Sequence, residues 1–348
     1  MRALFFILSL PALLLTGCLK NWGEDDYTFG KAHEVGVMNM FPGALTQEGA
    51  FSIPLNDDES LWVFGETLIS DTSEIGFHAL SNSAGIHHGR GAPTGNALEW
   101  VTDSTGNLKQ IIPYTEYEQE WNSDTLSSYQ FRLWPIGGLK IGETVYIFVR
   151  KVRFYSYSSI RDYSTVLVRL DQDLNAERSY ELFTQSMGYS PRLDEDGYVY
   201  LFGLAWNGES DNGFAARVRP EAIEDIESYS YFRTDIYEWS SYLYTDRSLY
   251  VSDVIVDDNA WIGSYTYIRT YYETNDVYLS QTWDPNLISG SFSLLLFTGD
   301  SPREFWISRV YQHPEYKRDG GRKILISYWS QQEDRGAGLH LVEFEFYE

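Results

Sequence analysis

The chain has 348 residues, of which 26 are Lys or Arg and 50 are Asp or Glu, giving a formal charge of −24. That excess of acid makes nucleic acid and anionic lipid surfaces poor partners. A single cysteine cannot form an internal disulfide. Aromatic residues make up 16% of the chain, with 27 Tyr and 11 Trp, which suits strands and also suits stacking on sugar faces.

Residues 1–17, MRALFFILSLPALLLTG, carry one basic residue and an apolar core and stop at Cys18. This reads as a secretory signal and not as a membrane span. The L-T-G-C stretch, Leu15 to Cys18, resembles the lipobox of bacterial lipoproteins, which implies lipidation of the Cys18 thiol. Leu19 and Lys20 follow with no aspartate beside the cysteine, consistent with sorting to the outer membrane of a Gram-negative envelope. Residues 18–30 are then the lipidated cysteine and a polar tether, and residues 31–348 a single domain. A lipid anchor holds a protein to a membrane without spanning it.

Along that domain, strands are predicted at 50–55, 61–66, 83–88, 144–154, 165–170, 198–203, 214–218, 249–256, 260–268, 276–282 and 323–329, from short alternating or apolar runs between turn residues. The best helix candidate is PEAIEDIES, 220–228, with Pro first and acids in the first turn. Five times a polar or Gly/Asp turn leads into an aromatic and β-branched strand: DDESLWVFGE, IGETVYIFVR, DEDGYVYLFG, DDNAWIGSYT and DGGRKILISYW. The expected fold is all-β, a five-bladed β-propeller, because radial repetition leaves few exposed sheet edges. A β-sandwich with insertions is the alternative.

In order, EGAFSIPLNDDESLWVFGETLI (48–69), SNSAGIHHG (81–89), RLWPIGGLKIGETVYIF (132–148), YSPRLDEDGYVYLFG (189–203), FAARVRPEAIED (214–225) and YQHPEYKRDGGRKILISYWS (311–330) resemble an exported propeller family long catalogued as a domain of unknown function. Some of its members are endo-D-arabinanases, and its architecture is akin to the five-bladed furanosidase propellers. The resemblance implies glycan processing with a site in the axial pocket. Where the family commonly has Asp-Gly-Ala before the first strand and Gly-Asp-Thr after the second, this chain has Glu48-Gly49-Ala50 and Gly65-Glu66-Thr67. Both carboxylates are kept, each longer by one methylene.

Glycoside hydrolysis usually needs two carboxyl groups, one protonated for the leaving oxygen and one ionised. Glu48 and Glu66 are the leading pair. Asp253, inside the apolar run YVSDVIVDD, is a third candidate, since a carboxylate on a buried strand needs a reason. For substrate binding the candidates are Asn82 in SNSAG, His87 in the alternating 83–88 strand, Arg132 and Trp134 at the start of a later inner strand, Arg192 after Ser190-Pro191, and His313 in HPEY. Each has a structural reading beside the functional one: turn, core or ring closure. Arg132 or Arg192 could bind sugar hydroxyls or pair with a carboxylate.

The histidines lack the spacing of a zinc site, and no cofactor is expected. The acids at 57–59 suit a structural calcium ion, or simple turn solvation. No phosphate-cradling G-x-x-x-x-G-K and no G-x-S-x-G elbow is present. The expected ligand is therefore a polysaccharide or oligosaccharide, with no protein partner legible. The rival reading is a non-catalytic lipoprotein that binds surface polysaccharide or a protein.

Overall fold

The computed structural model describes residues 30–71, 76–156, 158–184, 186–206, 211–243, 256–271, 276–282, 292–298, 307–332 and 336–347. Cys18, the signal and tether segment up to residue 29, and Asp253 lie outside the described residues. No described helix is long and apolar enough to cross a membrane.

The regular structure of the described chain is nearly all strand, with one α-helix, as the recurrent short apolar runs imply. It forms five antiparallel sheets of four or five strands and a sixth of three. Three of the large sheets begin at Ala50–Pro54, Gln130–Ile141 and Ser186–Leu193, and a fourth at Val256–Asn259; each runs outward through consecutive strands except the first, which passes from Glu59–Phe64 to Ser83–His88 while Thr67–Asp71 and Gly76–Leu80 join the three-stranded sheet. The fifth begins at Ile307–Arg318, continues through Lys323–Gln332 and Gly336–Phe346, and takes its outermost strand, Gly30–Met38, from the other end of the described chain. First and last segments are thus held in one ladder, Gly30 opposite Phe346.

The leading strands touch one another through side chains rather than ladder bonds. Ile307–Arg318 packs on Ala50–Pro54, which packs on Gln130–Ile141, which packs on Ser186–Leu193. Ser190 Oγ accepts from Val256 N at 2.7 Å, and Gln312 Nε2 donates to Asp257 Oδ2 at 2.8 Å, so the contacts run in a cycle back to Ile307–Arg318. This convergence demands small residues. Gly188 has φ +113°, and a Cβ there would lie 2.2 Å from Phe148 Cβ. Gly188→Ala is therefore expected to lose about 3 kcal/mol, from a backbone conformation closed to L side chains plus a clash in a packed core; the shift in urea midpoint measures it.

Between the first and fifth sheets the interface is aromatic and polar at once. Trp62 stacks on His313 with centroids 4.2 Å apart. His313 is fully buried, Nδ1 facing Ser52 Oγ at 2.6 Å and Nε2 facing Ser327 Oγ at 2.8 Å. Trp62 Nε1 donates to Tyr316 OH at 3.0 Å, and the same hydroxyl meets His87 Nδ1 at 2.8 Å.

Several sequence expectations change. The 220–228 segment is two 3-10 turns, Pro220–Ala222 and Ile226–Ser228, because the Asp225 side chain accepts from Glu227 N and restarts the chain mid-segment. The α-helix is instead Glu116–Ser123, opened by a capping box between Thr115 and Glu118. Glu118 is buried and paired with Lys151 at 2.8 Å and with Arg178, which pins the helix to the second sheet. The run predicted as a strand at 260–268 begins with a turn, since Asn259 Oδ1 accepts from Trp261 N and Ile262 N; the strand is Ser264–Tyr271.

Candidate carboxylate site and axial cavity

The run Glu59–Phe64 is buried along its length except at Glu59 and ends at Gly65, so Glu66 sits where the chain leaves the sheet. Glu48 lies just before Ala50–Pro54, and the two positions are tied by backbone: Glu48 N donates to Glu66 O and Gly65 N to Glu48 O, each at 2.9 Å. Glu48 is half-buried and the Glu66 side chain only 5% exposed. Its Oε2 lies 3.3 Å from Arg132 Nε, in an ion pair whose cation is itself largely buried. Arg132 is further fixed by Gln130 Oε1 at 2.7 Å and by the Phe154 ring, 5.2 Å away.

Around this pair lies a shell the sequence did not flag. Tyr114 OH is hydrogen-bonded to Ser81 Oγ and lies near both Arg132 and Glu66; burial pushes its phenol up, while Ser81 and Arg132 act against that rise. Gln47 Nε2 donates to Ser83 Oγ at 2.9 Å, and Ser83 Oγ meets Thr67 Oγ1 at 3.0 Å, buttressing the residues flanking both glutamates. Strand alternation puts Trp134 on the same face as Arg132. Trp134 is 7% exposed, and its indole N–H has no hydrogen-bond partner among the described residues.

Glu48, Glu66, Arg132 and Trp134 therefore belong to one region, at the N-terminal ends of the leading strands. The other predicted residues do not join them. Asn82 is fully buried with its amide spent on Ile112 O, Leu133 O and Ile112 N, a clamp that holds the 110–114 segment against the Arg132 strand. His87 and His313 belong to the buried interface of Trp62 and Tyr316. Arg192 lines a different space.

That space is a cavity of about 400 Å³ enclosed by the leading strands and lined by Phe51, Gly137, Arg192, Asp257, Gln312 and Glu315 among others. Along Gln130–Ile141 it begins at Ile136, four residues past Arg132, about 13 Å at strand rise. Asp257 is raised above the usual carboxylate range by burial, with Lys317 Nζ, 3.0 Å away, opposing it. Burial likewise raises Glu315, and the Ser52 and Ser60 hydroxyls offset this in part. Asp257 was legible by the rule that singled out Asp253, a carboxylate in the same apolar run. Among the described residues no cluster of three or more His, Cys, Asp or Glu side chains suits a metal. The acids at 57–59 find protein partners: Asp57 lies 3.6 Å from Arg90, Glu59 3.0 Å from His88.

The family described as a domain of unknown function (DUF5005) matches residues 40–341. No curated protein matches the chain. Among solved structures, a putative hydrolase from Bacteroides ovatus aligns at a TM-score of 0.64 with 14% identity, over 88% of this chain and 86% of that one. Zg3597, a family 117 glycoside hydrolase from the marine bacterium Zobellia galactanivorans, aligns at 0.52 with 7% identity over 91% of each. A xylan β-1,4-xylosidase from Bacillus halodurans aligns at 0.48 with 13% identity, and the chain spans 54% of its length. At these identities the likeness is one of fold alone.

Proposed function

This chain belongs to the DUF5005 family, and on that premise we propose that it is a glycan-processing protein of the furanoside-hydrolase type, built as a five-bladed β-propeller, with Glu48 and Glu66 as its working carboxyls. The observation that carries the reading is the Glu66 carboxylate, almost wholly buried at the end of an apolar strand and paired to Arg132 at 3.3 Å. A buried charge pair at a strand end adds little to stability beyond a hydrophobic substitute, so its retention points to use.

In such a site one carboxyl protonates the glycosidic oxygen as the C–O bond breaks, while the other, ionised, activates water or attacks the anomeric carbon. Arg132 fixes the position of Glu66, and Trp134 offers a ring to the sugar face. Asp253 is retained in the proposal as a third acid. The protein is further inferred to be exported and held by lipid on Cys18 in the cell envelope, most simply at the outer membrane, where polysaccharide is at hand.

The test is hydrolysis of arabinans, fructans and other furanose-containing glycans by soluble protein beginning at residue 19, read as new reducing ends. Turnover of a furanoside supports the assignment. Glycan binding without turnover on any member of the panel would favour the recognition lipoprotein, for which the lengthened side chains at 48 and 66 already give a motive.

A further inference from the structure

We propose that the cavity between the leading strands is a second binding site, for a carboxylated sugar, in which the Arg192 guanidinium takes the carboxylate. This does not depend on the glycosidase reading. None of the three Arg192 nitrogens makes a hydrogen bond among the described residues, and the nearest carboxylate oxygen, on Asp194, is 3.6 Å away. The guanidinium is instead held between the Tyr200 and Tyr265 rings, at 5.1 and 5.3 Å. Five N–H donors kept from water in this way are costly unless a ligand uses them. Arg presents a planar fork matched to a two-oxygen anion.

The rest of the lining selects among anions. Lys317 neutralises Asp257, and Lys140, whose ammonium donates to Leu55 O and lies 3.7 Å from Glu143, is the other lysine of the lining. Gln312, bonded to Asp257, and Glu315, whose oxygens are buried without a well-formed hydrogen bond, offer fixed polar edges to hydroxyls. Phe51, Ile136 and Pro191 supply an apolar wall for ring C–H groups. A doubly charged phosphate would meet two carboxyl groups here, whereas the hydroxyls of a sugar acid would donate to them. The volume, about 400 Å³, lies within the range of small-molecule sites, about 300–1,000 Å³.

The experiment is calorimetric titration of the whole chain, kept soluble in mild detergent, with D-glucuronate, D-glucose, acetate and inorganic phosphate. Glucuronate is expected to bind at least about 30-fold tighter than the other three, and Arg192→Gln to weaken it about 100-fold, as loss of a charge-assisted bidentate pair does. Glu66→Gln should bind glucuronate as the parent does, which separates failure of this site from failure of the glycosidase assignment. Glucuronate no tighter than glucose, or indifferent to Arg192→Gln, overturns the proposal; so does acetate or phosphate binding equally well. Should Arg192→Gln not fold, Leu193→Trp serves, since Leu193 lines the cavity and is 51% exposed. It is expected to weaken glucuronate about 10-fold at an unchanged melting temperature, and unaltered affinity refutes the site.

Discussion

Glu66→Gln is expected to lower hydrolysis of a responsive glycan by at least about 10³-fold with the fold intact, in line with the 10²–10⁴-fold worth of a positioned acid or base. The amide matches the carboxylate in size but can neither accept a proton nor attack. Glu66→Asp keeps the charge and withdraws it by one methylene from Arg132, now 3.3 Å away. Misplacement of about 1 Å costs on the order of 10²-fold in a preorganised site, so Asp should fall between parent and amide. That ordering separates chemistry from architecture: a strand-end role for Glu66 would move the melting temperature of both variants and leave kcat alone. A folded Glu66→Gln protein keeping more than a tenth of the parental rate would remove Glu66 from the mechanism.

Some of this was written in the local pattern. The strands at 83–88 and 276–282 are legible residue for residue as short runs between turn residues in the sequence. Gly30–Met38 carries no strand signal of its own, since half-exposed GKAHEVGVM finds its reason only in a partner some 300 residues away, Gly336–Phe346. The helix at Glu116–Ser123 carries a local signal in T-x-x-E, weaker on the sequence than the acidic segment that Pro220 opens. Glu66 was legible as a carboxylate closing an apolar run, and Arg132 as the start of an inner strand. Their ion pair was not, because it depends on how two sheets meet. His313 shows the converse: a histidine beside a proline and an acid looks like site chemistry until both its nitrogens are spent on serines inside the core.

Acid should expose that histidine. Complete burial holds the His313 imidazole down to about 3, against 6.5 in the unfolded chain, so folding binds the neutral ring. The unfolded state then takes up more protons as the pH falls, and stability is full above about pH 6.5 and lost progressively towards pH 3. At pH 4 the loss from this one group is about 3 kcal/mol, from 1.36 kcal/mol per pH unit over the interval. Glu118, held at about 2 although buried, with Arg178 and Lys151 overcoming desolvation, loses its contribution only in the lower window between 4.5 and 2. His87, lowered by burial and then by His88, adds a smaller slope of the same sign. In urea melts from pH 7 to pH 4, His313→Gln should start about 2 kcal/mol less stable, having lost the stack on Trp62 and a well-filled site. It should then lie much flatter with pH, so that the two curves cross at about pH 5 and the variant is the more stable by about 1 kcal/mol at pH 4. Parallel curves would mean that the interface between first and last sheets is not where the acid sensitivity resides.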